Sequence, residues 1–514
     1  MNNKAILPAI LSGLLYGTGW LYPNTVFCAF SSWAGTIFFI TALLNAPTRS
    51  KIYWASFIAG ILTNGIGFYW MVGTIQVFGG YSAFPAWLIY ILFILATSIQ
   101  YLVAVFLYRN IPSTFIDKLY LRATIAWVVS EFITFKLFPW QLGHSQLAFT
   151  HLVQIADIGG VYLISFLVFW CCETLVMSLK KCSFLSLLAP ITLICSLGYG
   201  QIQINHYEKE ILSLPQQDVA LVQANLPIEL YKQNTELFHF ISKQVASQHE
   251  ENKRKGNLLF IWPESSIMEF VFDKIGRANL DLRLPQKSKN NAFLLGALTA
   301  ERTPEKIIRY NSAMSIFADG NIPIPYHKRI LLPYGEYIPL AETFPSLKKL
   351  NPLAAEAFDS GDSAIVFNYN MVNTAGTPYS LKVSPLICYE EVLSELTRES
   401  ALAGAEVLVS LSNDVWFGET VAPVQHHQLA AFRAIENRRF LLRSTKTGFS
   451  ANVNPLGITT DSIKPFINDY TVTTISPLSD VTIYTKIGDS PFLILSVGII
   501  FLILLNFLRN RRRD

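Results

Sequence analysis

Three short strings in this chain carry side chains suited to covalent catalysis. The first is Val383-Ser384-Pro385-Leu386-Ile387-Cys388-Tyr389-Glu390-Glu391, whose thiol is the single cysteine between Gly200 and Pro491. Such a thiol has no partner for a disulfide within its own segment, so packing or chemistry must explain its setting. A thiol with a pKa of about 8.5 attacks carbonyls at neutral pH only when something takes its proton. A strand turning sharply into a helix exposes a nucleophile, and a helix N-terminus adds positive potential that favours thiolate. The alternative is a buried cysteine acting as a small hydrophobe; its charged neighbours and its solitude argue for chemistry.

The second string, Phe260-Ile261-Trp262-Pro263-Glu264-Ser265-Ser266, delivers a carboxylate just past a proline that cannot extend a strand ladder. Alone, it reads more readily as a solvated turn glutamate. The third is Tyr326-His327-Lys328-Arg329-Ile330-Leu331-Leu332-Pro333-Tyr334-Gly335-Glu336-Tyr337. An isolated lysine before an apolar run is most often a surface cation. Here the glycine and prolines fix the path between Lys328 and Glu336, which brings both toward one pocket.

Elements capable of positioning these residues are legible around them. Short β-rich runs at Val219–Leu226, Leu258–Trp262, Ala292–Leu298, Ser312–Phe317, Val383–Ile387 and Val407–Ser412 alternate with helical patterns at Glu390–Gly404 and Val424–Arg439. Runs apolar on both faces predict buried strands. The segment 202–488 therefore reads as one α/β domain, at roughly 285 residues large enough for its own core. Leu340–Asp362, with Pro345, Pro352 and Gly361 among Phe344, Leu347, Leu350, Leu353 and Phe358, reads as a long apolar loop.

The rest of the chain is membrane-like. Of its 514 residues 51% are hydrophobic and only 15% charged, against about a quarter charged in ordinary globular chains. Apolar stretches at 5–22, 25–45, 53–76, 84–108, 119–137, 159–180, 183–201 and 490–508 each approach the roughly 20 residues that span a bilayer, which predicts about eight crossings. The first follows Lys4 like a signal peptide, but the next span comes at once and no small-residue cleavage site stands out, so it reads as a retained helix. Lys and Arg concentrate on the cytoplasmic side of short loops. Lys4, Arg49 with Lys51, Arg109 with Lys118 and Arg122, Lys180 with Lys181, and the terminal Arg509, Arg511, Arg512 and Arg513 fall in alternate loops, while the intervening loops have none. Only Lys136 is ambiguous. Both termini are thus expected inside and the α/β domain outside, giving domains 1–201, 202–488 and 489–514. The net charge of +4 follows the arginine-rich tail, and no basic and aromatic interleaving suggests nucleic acid. Cys28, Cys171, Cys172, Cys182 and Cys195 lie in or beside spans, which leaves Cys388 alone in a compartment where pairs oxidise.

The order Glu264, Lys328, Cys388, each at a strand end, followed by Leu411-Ser412-Asn413-Asp414-Val415-Trp416-Phe417-Gly418, resembles the nitrilase or carbon–nitrogen hydrolase superfamily. With spans before the domain and one after it, the whole chain resembles that superfamily's membrane-embedded branch, the apolipoprotein N-acyltransferase family. The resemblance implies a nitrilase-like αββα sandwich and a catalytic Glu264, Lys328 and Cys388. It also implies an additional glutamate at Glu336 that positions the lysine, and pocket-shaping Tyr389 and Glu390. Burial raises a carboxylate's pKa and suits Glu264 to act as base. Lys328 and the Tyr389 N–H then hold the developing oxyanion, such a donor being worth about 3–4 kcal/mol.

The family takes an acyl chain from a glycerophospholipid, preferably phosphatidylethanolamine, onto the cysteine as a thioester. The α-amine of an apolipoprotein's diacylglyceryl-cysteine then attacks it, a ping-pong scheme. The resemblance so implies a multi-pass protein of the bacterial inner membrane with a periplasmic domain and no cofactor, and because a membrane domain would partly occupy the faces through which soluble relatives oligomerise, a monomer is expected. The Leu340–Phe358 loop is a candidate lid. Two departures stand out. After Leu221-Val222-Gln223-Ala224-Asn225-Leu226-Pro227 the family's tryptophan is absent, and Tyr231, beside Lys232, takes the aromatic place; Thr445-Lys446-Thr447-Gly448 stands where Asn-Asn-Gly is usual.

Other groups offer less. His426 and His427 are adjacent and so face different sides of a helix, and without an HExxH or cysteine cluster they predict no metal. Glu131 and Glu173 lie within apolar stretches, where an acid can mark an ion path. Two rivals follow: a membrane-tethered amidase would use the same triad but release acyl groups to water, and a transporter with an exported binding domain would not depend on Cys388.

Overall fold

A computed structural model describes residues 4–112, 115–181, 183–225, 244, 247, 255–272, 291–304, 306–333, 335–338, 340–341, 343–349 and 358–511. Each apolar stretch falls on a helix: α1 (Ile6–Trp20), α2 (Val26–Asn45), α3 (Arg49–Gly67), α4 (Met71–Gly79), α5 (Ala83–Asn110), α6 (Arg122–Ile133), α7 (Ala156–Ser178), α8 (Leu188–Ser213) and, at the far end, α11 (Ser490–Arg511). Thr25 and Thr48 start α2 and α3 by accepting the amides of Cys28 and Lys51, the usual use of a threonine at a helix start. Among the described residues five helices are long and apolar enough to cross a membrane, or six if the pair α3 and α4, bent by 59°, counts as one broken span. The stretches at 5–22 and 119–137 form helices of only 15 and 12 residues, short of a full crossing by length. The two acids inside apolar stretches, Glu131 in 119–137 and Glu173 in 159–180, are tied to backbone. Glu173 accepts the Ala123 and Thr124 amides at the start of α6, and Glu131 accepts the Leu142 amide and the Trp127 indole.

Among the described residues the α/β domain has twelve strands in two six-stranded sheets. One runs in the order β12 (Asp469–Ile475), β1 (Gln217–Gln223), β2 (Leu259–Phe272), β3 (Ala292–Arg302), β4 (Ile307–Ile316), β5 (Tyr326–His327). The other runs β11 (Thr459–Ile463), β10 (Ser450–Val453), β9 (Phe440–Thr445), β8 (Val407–Ser412), β7 (Pro378–Ile387), β6 (Phe367–Val372). In each sheet the middle three strands are parallel and the flanking ones antiparallel. Alternation sends successive side chains to opposite faces. Val219 and Leu221 join Leu259, Ile261, Val383, Ile387, Val409 and Leu411 in the core between the sheets, while Ala220 and Val222 pack with Phe260 and Phe293 on the other side. Both faces are buried, as the unbroken apolar runs require.

On the second sheet's outer face lie α9 (Ser394–Leu402) and α10 (Ala422–Asn437). Helix α10 is buried on nearly every side because it is wedged between sheet and bundle. Its Phe432 and Ile435 share one core with Leu408 of β8 and with Phe39, Trp127 and Phe169 of the bundle. Its Gln425 donates to the carbonyls of Trp20 at 2.8 Å and Gly67 at 3.0 Å and accepts from the Trp70 indole at 2.8 Å. Gly67 ends α3, so this glutamine satisfies one of the carbonyls that a helix end leaves open, right at the α3–α4 break.

Candidate active site

The three chemical strings meet beside the bundle, but only Lys328 and Cys388 follow strand ends: β2 does not stop at Glu264 and runs on to Phe272, its pairing with β3 shifting register between Trp262 and Ile267. β2 carries Glu264 past Pro263, and the next residue, Ser265, sits at φ +53°, a left-handed conformation that costs a non-glycine residue free energy and clusters at functional turns. Gly296 of β3 makes room: a Cβ there would lie 2.5 Å from the Glu264 Cα. Lys328 follows β5, its amide bonded to the Asn311 carbonyl at 2.8 Å. Cys388 follows β7 at φ +53°, the sharp turn expected of a nucleophile.

The turn is not the start of an α-helix. Cys388–Val392 forms a single 3₁₀ turn and α9 begins only at Ser394, so the expected helix N-terminus at the sulfur is absent. Burial pushes the thiol's pKa up, Glu264 adds to that push, and Lys328 opposes it. The resting sulfur is a thiol that needs a base, rather than a preformed thiolate.

Around it, Lys328 Nζ stands 2.7 Å from Glu336 Oε2 and 4.0 Å from Glu264 Oε1. Burial works against the lysine's charge, but Glu336 and Glu264 outweigh it and raise its pKa, so it stays an ammonium. Glu264 is driven the other way from an exposed acid: burial raises its pKa, while Lys328 pulls it down. Glu336 is further fixed by the Leu332 amide at 2.8 Å. A partly buried thiol, a basic carboxylate and a fixed ammonium in one cluster can attack a carbonyl and hold the resulting oxyanion.

Glu390, fully buried, ties two strings together. It accepts from the Ile387 amide (2.8 Å) and the Tyr326 hydroxyl (2.8 Å) on one oxygen, and from the Arg329 (2.7 Å) and Ile330 (3.1 Å) amides on the other. Ile387 precedes the cysteine and Arg329 follows the lysine, so one carboxylate sets both. The next residue, Glu391, takes a bidentate bond from Arg443 at 2.8 and 2.6 Å and faces His426 Nε2 at 3.1 Å. His426 Nδ1 reaches Asp414 at 3.2 Å, while His427 turns to Thr459 at 2.9 Å. The neighbouring histidines thus part company as their helical spacing dictates.

Trp416, half-buried, meets Phe78 of α4 with ring centroids 4.7 Å apart, and Phe78 also lies where a Cβ on Gly335 would sit, 2.3 Å away. A bundle side chain therefore forms part of the wall of the site. Tyr389 packs in the same cluster as Trp70, Phe138 and Phe417. Tyr231 and Lys232, with residues 350–357 of the candidate lid, lie outside the described residues; the described Leu340 and Phe344 are exposed. Sequence reasoning missed Asn311, Gly296 and Arg443, none of which lies in a catalytic string. It left Lys446 without interpretation: the Lys446 backbone bonds Ser412 and Asn225, and its buried ammonium faces Glu264, with burial pushing its pKa down to about 8 against the pull of that carboxylate. The glycine two residues on abuts Asp414, whose Oδ2 would lie 1.9 Å from a Cβ at Gly448.

The carbon-nitrogen hydrolase family model matches residues 218–479, just over half of the chain, and the chain belongs to that family. A second model, described as the apolipoprotein N-acyltransferase N-terminal domain, matches residues 12–173. Relatives named apolipoprotein N-acyltransferase include one from Wigglesworthia glossinidia brevipalpis, 28% identical over 92% of this chain and 93% of its own. One from Vibrio vulnificus is 27% identical over 88% of each chain, and one from Methylococcus capsulatus 26% identical over 99% of this chain and 97% of its own. Among solved structures an amidase from Nesterenkonia sp. is 19% identical over 54% of this chain and 95% of its own, with a TM-score of 0.37.

Proposed function

We propose that this protein transfers an acyl chain from a membrane glycerophospholipid, through a thioester on Cys388, to the α-amine of the diacylglyceryl-cysteine that begins an apolipoprotein. Glu264 takes the Sγ proton as sulfur attacks the ester carbonyl. Lys328 and the Tyr389 N–H hold the oxyanion, and collapse releases the lysophospholipid, whose alkoxide takes the proton from Glu264. In the second half the amine attacks the thioester and gives its proton to Glu264, which returns it to the departing sulfur. Glu336 binds Lys328 more closely than Glu264 does (2.7 against 4.0 Å), which keeps the base from being silenced by a direct ion pair. Tyr389, Glu390 and Trp416 shape the pocket, and Tyr231 supplies a lipid contact.

The observation that carries this reading is Phe78: a side chain of a broken bundle helix stands against Gly335 and Trp416 beside the Glu264, Lys328 and Cys388 cluster. Lipid-anchored substrates need a site at the membrane, whereas a soluble amidase does not. The placement of the relatives' name on 88% or more of both chains supports the same choice over a tethered amidase. We assign 1–201 to a membrane domain, 202–488 to a periplasmic catalytic domain and 489–514 to a last span with a cytoplasmic basic tail, in a multi-pass monomer of the bacterial inner membrane with both ends inside.

The test is mass spectrometry of the purified protein incubated with phosphatidylethanolamine. An acyl adduct on Cys388, absent from Glu264→Gln and discharged faster by a diacylglyceryl peptide than by water, is expected. Continued N-acylation of lipoproteins in cells carrying only Cys388→Ala would sink the assignment, and discharge to water alone would favour the amidase.

A further inference from the structure

The two carboxylates of the site share a third neighbour that no catalytic string contains. Asn311 lies in β4, opposite Leu298 of β3, and is almost completely buried. Its Nδ2 donates to Glu264 Oε1 at 2.7 Å and to Glu336 Oε1 at 3.0 Å. Both acceptors are carboxylate oxygens, so the amide orientation is fixed by chemistry: turned over, the carbonyl oxygen would face two carboxylates. Its backbone carbonyl meanwhile accepts the Lys328 amide at 2.8 Å. One residue thus touches both acids through its side chain and sets the start of the lysine segment through its main chain.

We propose that Asn311 is a positioning residue that clamps Glu264 and Glu336 with one amide group, holding Glu264 toward Cys388 and leaving Lys328 to Glu336. The clamp must be neutral. A cation there would compete with Lys328 for both acids, and a carboxylate would add a third negative charge to the pair. Only an uncharged group with two N–H donors on one atom bridges both oxygens. The cost is visible in the same side chain, since Asn311 Oδ1 is buried with no hydrogen-bond partner among the described residues. An unmatched buried acceptor is destabilising, and such exceptions call for an explanation in function. The rest of the environment of Glu264 consists of charges: Lys328, Glu336, Asp414 and, facing it from β9's end, Lys446, with the Cys388 thiol beside them. Against that background the Asn311 bond stabilises the ionised form of Glu264.

This inference rests on Glu264 as the base proposed above, and alkylation of Cys388 by iodoacetamide tests it without any lipid. The rate is followed by peptide mass spectrometry across pH in the full-length detergent-solubilised protein. Asn311→Ala is expected to slow alkylation of Cys388 about 100-fold, the scale of a misplacement of about 1 Å, and to move the acid limb of the profile to higher pH, because the carboxylate loses a donor. Asn311→Asp, of the same shape, is expected to shift the limb the same way, and it decides the matter if the alanine variant does not fold. Glu264→Gln should remove the limb. A wild-type rate with an unmoved limb in either folded Asn311 variant overturns the proposal, as does a slower rate with the limb unmoved. A wild-type protein that alkylates normally yet forms no phospholipid adduct would instead count against the proposed function, so the two failures are distinguishable.

Discussion

Glu390→Gln perturbs the site through a single atom. In the protein the carboxylate takes four hydrogen bonds, two on each oxygen: Arg329 and Ile330 amides on one, the Ile387 amide and the Tyr326 hydroxyl on the other. An amide has one oxygen, and it serves best where two backbone N–H groups converge, at Arg329 and Ile330. The NH₂ end then faces Tyr326, whose hydroxyl can rotate to accept, and Ile387, whose N–H cannot. One buried donor is left unmatched, at about 1–3 kcal/mol, and the bonds that remain lose the strength that the ionised acceptor gave them, roughly 1 kcal/mol each. The expected loss is about 4–6 kcal/mol, with the unmatched donor at Ile387, the residue before the nucleophile. Relaxation there moves Cys388 relative to Lys328, and a shift of about 1 Å costs roughly 100-fold in rate. Thermal unfolding and the rate of the Cys388 acyl adduct from phosphatidylethanolamine measure the two effects. A variant that unfolds as the wild type does and forms the adduct at the wild-type rate would refute the idea that this carboxylate couples the cysteine turn to the lysine segment.

Gly296→Ala places a Cβ 2.5 Å from the Glu264 Cα and 2.6 Å from the Pro263 carbonyl; adduct formation should fall about 100-fold or more while the detergent-extracted protein still elutes as one species. Gly335→Ala, clashing with Phe78 at 2.3 Å, should lower activity, and Phe78→Ala in the same chain should restore part of it; additive losses measured in the two single and the double variants would break the link between α4 and the site. Adduct formation should also fall as pH is lowered. Glu264 accepts a proton only when ionised, and burial raises its pKa, so the base form disappears at a higher pH than for an exposed glutamate. Lys328 is held protonated by Glu336 and Glu264 and should contribute no alkaline limb of its own; a limb that vanishes in Lys328→Arg would contradict that.

The sequence determined the chemical types and their order. Glu264 and Cys388 follow short apolar runs that read as buried strands, whereas no such run leads to Lys328, which comes after Pro323 and Pro325 and a strand of only two residues, Tyr326–His327. The membrane character followed from composition, because apolar stretches of span length need no partner to be recognised. Distances and protonation required the tertiary structure. That Glu336 rather than Glu264 holds Lys328, that Asn311 bridges both acids, and that the thiol is raised rather than lowered depend on groups distant in the chain meeting in a buried place, where a difference of about 1 Å decides which charge pairs with which. The 3₁₀ turn at Cys388 in place of a helix start arises for the same reason. Glu390 and Glu391 are pulled to opposite sides, one by the amides of the lysine segment and the other by Arg443 and His426, and local propensity toward a helix gives way to those buried bonds.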